Sequence, residues 1–121
     1  MASGTILVVD NDQSVLDIMR RMLARSSYDV LTASHANAAL RILEQVQPVD
    51  LVVSEAVLPG MSGSELVNKV RGSFPSTAVM LMTGYTEKPL DAAIPFLAKP
   101  FTIQKLTDRV AAILAARIEA T

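Results

Sequence analysis

The chain has 121 residues, half of them apolar, with a formal net charge of −1 and no cysteine. That length suits one domain with a real core. No basic run exists to neutralise phosphates, so no nucleic-acid partner is expected, and without cysteine neither a disulfide nor a thiolate metal site can form.

The opening MASGTILVVD lacks a charged segment followed by a long apolar one, so no signal peptide is expected. No apolar run approaches the roughly 18 residues that span a membrane. The expectation is a single cytoplasmic domain over 1–121, core about 5–118, either free-standing or part of a larger protein.

Residues 5–10, TILVVD, read as a first buried strand ending in an acid. Asn11 to Ser14 form a turn with good capping residues. The helix after it is expected to bury Val15, Ile18, Met19, Met22 and Leu23, with Arg20, Arg21 and Arg25 outside. Residues 28–33 read as a second strand. A helix over about 35–46 puts Ala39, Leu40, Ile42 and Leu43 inward.

Leu51, Val52 and Val53 form a continuous apolar run, the pattern of a strand buried on both faces. It ends at Ser54-Glu55, and Pro59-Gly60 and Ser62-Gly63 break the chain before a third helix over about 64–71. Residues 77–82 are a fourth strand ending at Thr83-Gly84. Residues 94–98 are a short fifth strand ending at Lys99-Pro100. A last helix over 102–118 has Ile103, Leu106, Val110, Ile113 and Leu114 as its apolar stripe.

Strands alternating with helices through short loops mean βαβ units and a parallel sheet, hence an α/β fold. One connection is irregular. The 15 residues from Gly84 to Ala98 must supply a loop, a fourth helix and the fifth strand, and Pro89 and Pro95 interrupt them. A shortened fourth helix around 87–92, or an ordered loop, is expected.

Polar groups collect at one edge of this sheet: Asp10-Asn11, Glu55, Thr83 and Lys99 each end a strand. Ligands of open α/β sheets bind just outside the strands' carboxyl ends. The segment from Asp50 to Gly63, DLVVSEAVLPGMSG, together with the acid after the first strand, Thr83-Gly84 and Lys99-Pro100-Phe101, resembles bacterial response-regulator receiver domains. The resemblance runs from about residue 5 to 118.

That resemblance implies a flavodoxin-like, doubly wound (βα)5 fold with strand order 2-1-3-4-5. It implies two-component signalling, in a response regulator or the receiver module of a hybrid histidine kinase, and a non-enzymatic role. It also assigns roles. Asp10, the Asn11 position, Glu55 and the backbone carbonyl of Val57 match the magnesium site. Glu55 matches the phosphoacceptor, Thr83 a phosphoryl-oxygen ligand and Lys99 the pairing cation. Phe96 matches an aromatic whose rotation reports activation, and Lys99-Pro100 a peptide bond that is usually cis. The fourth-helix to last-helix face, 85–118, matches the surface that binds protein partners: a histidine kinase, a phosphotransfer protein or an output protein. Homodimerisation is a further expectation. No DNA-binding output domain is expected after Thr121, so any effect on transcription is expected to be indirect.

Two departures weaken the chemistry. Asn11 replaces a metal-ligating acid, and a neutral amide attracts a divalent cation less. Glu55 replaces the acceptor aspartate, and its extra methylene moves the carboxylate by more than an ångström, a misplacement that costs on the order of 100-fold in rate. Weak or absent magnesium binding is therefore expected, no other cofactor, and phosphorylation-independent binding of a protein partner. Glu55 is read as a partial stand-in for a phosphorylated acid, with about one charge against nearly two.

The alternatives are a conventional magnesium-dependent phosphoacceptor receiver in a phosphorelay, and a phosphatase. Asp10-Asn11-Asp12-Gln13-Ser14 resembles the opening of haloacid-dehalogenase phosphatases, which would use Asp10 and Asp12. That family's later acidic pair is missing at Phe101 to Gln104. A flavin phosphate is excluded by the acidic turn after the first strand. Asp12 reads foremost as a helix cap, His35 as solvated at a helix start, Lys99 as an internal ion-pair partner of Glu55, and the methionines as packing.

Overall fold

The computed structural model describes residues 4–84 and 93–120. Its elements in chain order are β1 (Thr5–Val9), α1 (Gln13–Ala24), β2 (Asp29–Ala33), α2 (Ala36–Gln45), β3 (Leu51–Glu55), α3 (Gly63–Ser73), β4 (Ala78–Thr83), β5 (Phe96–Ala98) and α4 (Ile103–Ala120). All strand pairs are parallel, in the order β2-β1-β3-β4-β5. This is the expected flavodoxin-like arrangement. The expected fourth helix around 87–92 lies outside the described residues.

β1, β3 and β4 are the central strands, and their apolar runs are buried on both faces. Alternation along each strand divides the core into two layers. Leu7, Val9, Val52, Val79 and Leu81 pack with α2 and α3. Ile6, Val8, Leu51, Val53, Met80, Met82 and Leu97 pack with α1 and α4.

The caps are made by short polar side chains next to each helix start. Asp12 accepts from the Ser14 amide at 2.9 Å, Ser62 from the Glu65 amide at 3.1 Å and Thr102 from the Lys105 amide at 3.0 Å. Each satisfies an N–H that the helix leaves unpaired. His35 also caps: its Nδ1 accepts from the Ala38 amide at 3.1 Å, a role that simple solvation did not anticipate.

Two sequence expectations are corrected. Ile18 is 49% exposed, and Leu16 takes its place in the core beside Met19 and Leu23. The sets 15/18/22 and 16/19/23 have the same helical spacing, so periodicity alone does not choose between adjacent stripes. Ile103 is 41% exposed, and Leu106, Val110 and Leu114 form the buried stripe of α4.

Far from the strands' carboxyl ends, Arg117 joins α4 to the start of β3. Its guanidinium donates to Asp50 Oδ1 at 2.7 Å, to the Asp50 carbonyl at 3.2 Å and to the Ser76 carbonyl at 3.0 Å. Asp50 Oδ2 accepts from the Thr5 amide at 2.8 Å. The amino-terminal ends of β1 and β3, the turn before β4 and the last turns of α4 are thereby tied together.

Candidate functional site at the carboxyl edge of the sheet

Each ladder runs one residue past its strand. The Asp10 amide donates to the Ala33 carbonyl at 3.1 Å, Ala56 to Met82 at 2.8 Å and Lys99 to Thr83 at 2.7 Å. These bonds hold the strand ends side by side. They line a pocket of about 420 Å³ together with Asn11 and Val57.

Asp10 and Glu55 continue the alternation that carries Ile6, Val8, Leu51 and Val53 toward α1 and α4, and Lys99 continues that of Leu97. The three side chains therefore meet. Lys99 Nζ lies 2.5 Å from Glu55 Oε2 and 3.2 Å from Asp10 Oδ2. Asp10 is 2% and Glu55 8% exposed, while the Lys99 side chain keeps 27% of its surface. Thr83 is buried in the same pocket wall but shares the strand parity of Val79 and Leu81.

The remaining carboxylate oxygens are also engaged. Asp10 Oδ1 accepts from the Asp12 amide at 2.9 Å, and Glu55 Oε1 is 3.4 Å from the Val57 amide. Burial pulls the Lys99 ammonium pKa down. The hydrogen bond and charge of Glu55, then those of Asp10, outweigh burial, and the net shift is upward. Lys99 stays charged. Asp12 is turned to other use: bonds from the Ser14 hydroxyl and amide hold its carboxyl below the usual range, as expected of a cap.

The internal Lys99–Glu55 pair is the one expected from the sequence, and Asp10 joins it as a second partner. Asn11 lies exposed at the pocket's rim, and Val57 is exposed beside it. Phe96 is 37% exposed, and its carbonyl accepts from Arg109 at 2.8 Å. The Lys99–Pro100 bond is cis. Gly63 closes the loop motif LPGMSG. Its place is fixed by contact, since a Cβ there would come within 2.0 Å of the Glu55 carbonyl oxygen.

These features define a doubly wound α/β domain with a charged pocket at its strand ends, and the comparisons with known proteins agree. The sequence pattern of the response regulator receiver domain matches residues 6–111. The chain is 34% identical to Sensor kinase CckA of Brucella abortus, over 93% of this chain and 13% of that protein. It is 35% identical to the alkaline phosphatase synthesis transcriptional regulatory protein PhoP of Bacillus subtilis, over 90% of this chain and 48% of that one. The crystal structure of a CheY-like receiver domain protein from Methanospirillum hungatei superposes with a TM-score of 0.90 at 25% identity, covering 99% and 100% of the two chains. The receiver domain of the hybrid histidine kinase CckA superposes with a TM-score of 0.80 at 34% identity, covering 92% and 99%.

The chain belongs to the response regulator receiver domain family. It is a receiver domain of two-component signalling, a domain that typically serves as a signalling module. It spans less than half the length of the two curated relatives named above. No described helix is long and apolar enough to cross a membrane.

Receiver domains hold magnesium in this pocket, through hard oxygen donors in octahedral array. Asp10 and Glu55 both point an oxygen at Lys99, Asp12 caps α1 and Asn11 offers only a neutral amide. Among the described residues no three acidic, histidine or cysteine groups cluster as metal ligands.

Proposed function

We propose that this receiver acts by phosphorylation-independent protein–protein interaction, with Glu55 in place of the phosphoacceptor. One observation carries the reading. The Glu55 carboxylate is held 2.5 Å from the Lys99 ammonium, with Asp10 completing the charge pair, so the cation that would neutralise an incoming phosphoryl group is already engaged. In-line transfer needs a placed acceptor oxygen, a metal and a free cation. Glu55 instead supplies a permanent single negative charge at the acceptor position, a partial stand-in for the phosphorylated acid. The partner is a histidine kinase, a phosphotransfer protein or an output protein, met through the 85–118 face, of which residues 85–92 lie outside the described set.

The test is exposure to acetyl phosphate and magnesium, followed by intact-mass measurement. The wild-type chain is expected to gain no phosphoryl group, and the Asn11→Asp/Glu55→Asp double variant to gain one. A phosphorylated wild-type chain would overturn the proposal and restore the conventional magnesium-dependent receiver.

A further inference from the structure

The chain has a single histidine, and it serves as the cap of α2. The backbone of His35 is extended, its Nδ1 accepts from the Ala38 amide at 3.1 Å, and its carbonyl accepts from the Ala39 amide at 3.1 Å. An imidazole nitrogen accepts only while the ring is neutral and carries its proton on the other nitrogen; the imidazolium donates from both. The usual caps, Ser, Thr, Asn and Asp, keep their acceptor oxygen in mild acid. An imidazole does not, because it ordinarily titrates near pH 6.5.

Protonation costs this helix end twice. The Ala38 amide loses its acceptor, and a positive charge is set against the positive end of the helix dipole. Neighbouring charges do not offset it. The first turn of α2 holds no acid, and Arg41 and Glu44 stand further along the helix. Of the elements packed on α2, β1 has no charged residue and β2 has only Asp29, at its opposite end. α3 brings Lys69, Arg71 and Glu65, the last of which accepts from the Ser62 hydroxyl. Asp10, just beyond β1, is engaged by Lys99. Among the described residues His35 makes no ion pair.

Packing holds the turn weakly. Its inward residues are Ala36 and Ala39, with the larger Leu43 a turn further on, and alanine buries little apolar surface. Only Ser34 and His35 separate α2 from Ala33, the last residue of β2, whose carbonyl accepts from the Asp10 amide. The cap thus stands at the edge of the sheet that carries the pocket.

We propose that His35 is a proton-sensitive latch on α2: the neutral ring caps the first turn, and its protonation in mild acid releases that turn. The inference goes beyond the reading of Glu55 and does not depend on it.

The test compares wild type with His35→Asn, which caps at every pH, and His35→Ala, which caps at none. Urea denaturation is followed from about pH 8 to about pH 5, the range in which imidazole changes charge. Titrating groups common to the three chains cancel in the comparison. The unfolding constant of wild type relative to His35→Asn is expected to rise about fivefold toward acid, the effect of losing one cap, and wild type should converge on His35→Ala. In wild type alone, long-range proton–nitrogen NMR of the ring should place its proton on Nε2 at the alkaline end, and the Ala38 amide should shift as the ring titrates.

A constant ratio of wild type to His35→Asn across the range would overturn the inference. So would a ring proton on Nδ1 at the alkaline end, or an Ala38 amide indifferent to ring protonation. The ring spectra need no variant, so they decide the matter should His35→Ala fail to fold.

Discussion

Gly63 lies so close to Glu55 that a Cβ would stand 2.0 Å from the Glu55 carbonyl oxygen and 2.9 Å from Ala56 Cα. The first turn of α3 thus rests directly on the end of β3, and the Gly63 amide bonds the Ala56 carbonyl at 3.0 Å. Both obstructing atoms are backbone, so they cannot swing aside. Gly63→Ala is expected to destabilise the domain by about 3 kcal/mol, measured by urea denaturation. A loss within about 0.5 kcal/mol would show that α3 can lift off without consequence.

The Lys99–Glu55 pair predicts a loss of stability when one partner is made neutral. Glu55→Gln leaves Lys99 with Asp10 alone, and because Lys99 is partly exposed the cost is set at about 1 kcal/mol, well below that of a fully buried pair. A double-mutant cycle with Lys99→Met should be non-additive, because the two side chains touch. Additive losses would mean that the pair contributes no coupling.

The titration behaviour predicts a stability limit on the alkaline side. Lys99 has a raised pKa, and burial pushes the Tyr28 phenol up as well. A raised folded value gives a contribution fully present below the unfolded value, about 10 for tyrosine and about 10.4 for lysine, and lost as pH rises through the folded one. Melting temperature should therefore fall above about pH 10, and fall less steeply in Tyr28→Phe. Asp12 works in the opposite direction. Its lowered pKa gives a contribution present above the ordinary carboxyl value and lost as pH falls through the depressed one. Asp12→Ala should remove that acid dependence, while Asp12→Asn should keep most of the cap.

At the other end of the sheet, Arg117 donates to one carboxylate oxygen and two carbonyls. Arg117→Met removes these three bonds, although the Asp50 carbonyl keeps the Ala78 amide, and a loss of about 1–2 kcal/mol is expected. Asp50→Asn should cost part of the same energy and couple to it in a cycle. Independent effects would show that the guanidinium adds nothing beyond its two carbonyl bonds.

Strand positions were legible because β1, β3 and β4 are apolar runs with few polar interruptions, and each ends where a charged or hydroxyl residue appears. The strand ends Asp10, Glu55, Thr83 and Lys99 could be placed on one edge for the same reason. The inner face of α1 was less legible, because Val15, Ile18 and Met22 repeat with the spacing of Leu16, Met19 and Leu23; which stripe turns inward depends on how the helix lies against β2 and α4. Of the other stripe only Ile18 is exposed; Val15 and Met22 are half-buried against the core, and all three border an apolar groove beside Pro100 and Phe101.

The Arg117–Asp50 tie links residues 67 positions apart, and no local pattern announces it. His35 as a cap is a rare use of imidazole nitrogen where Ser, Thr, Asp or Asn is usual. The engagement of Lys99 by both carboxylates follows from strand parity, and becomes visible only once the strand order brings β1 next to β3.

The most direct measurement is an amide NMR titration of wild type with magnesium, followed by beryllium fluoride as a phosphoryl mimic. No saturable shift is expected at Asp10, Glu55, Thr83 or Lys99 up to millimolar magnesium, and no further change with beryllium fluoride. Saturable shifts at those residues that spread to Phe96 and α4 would contradict it, and would show a phosphoryl switch still operating.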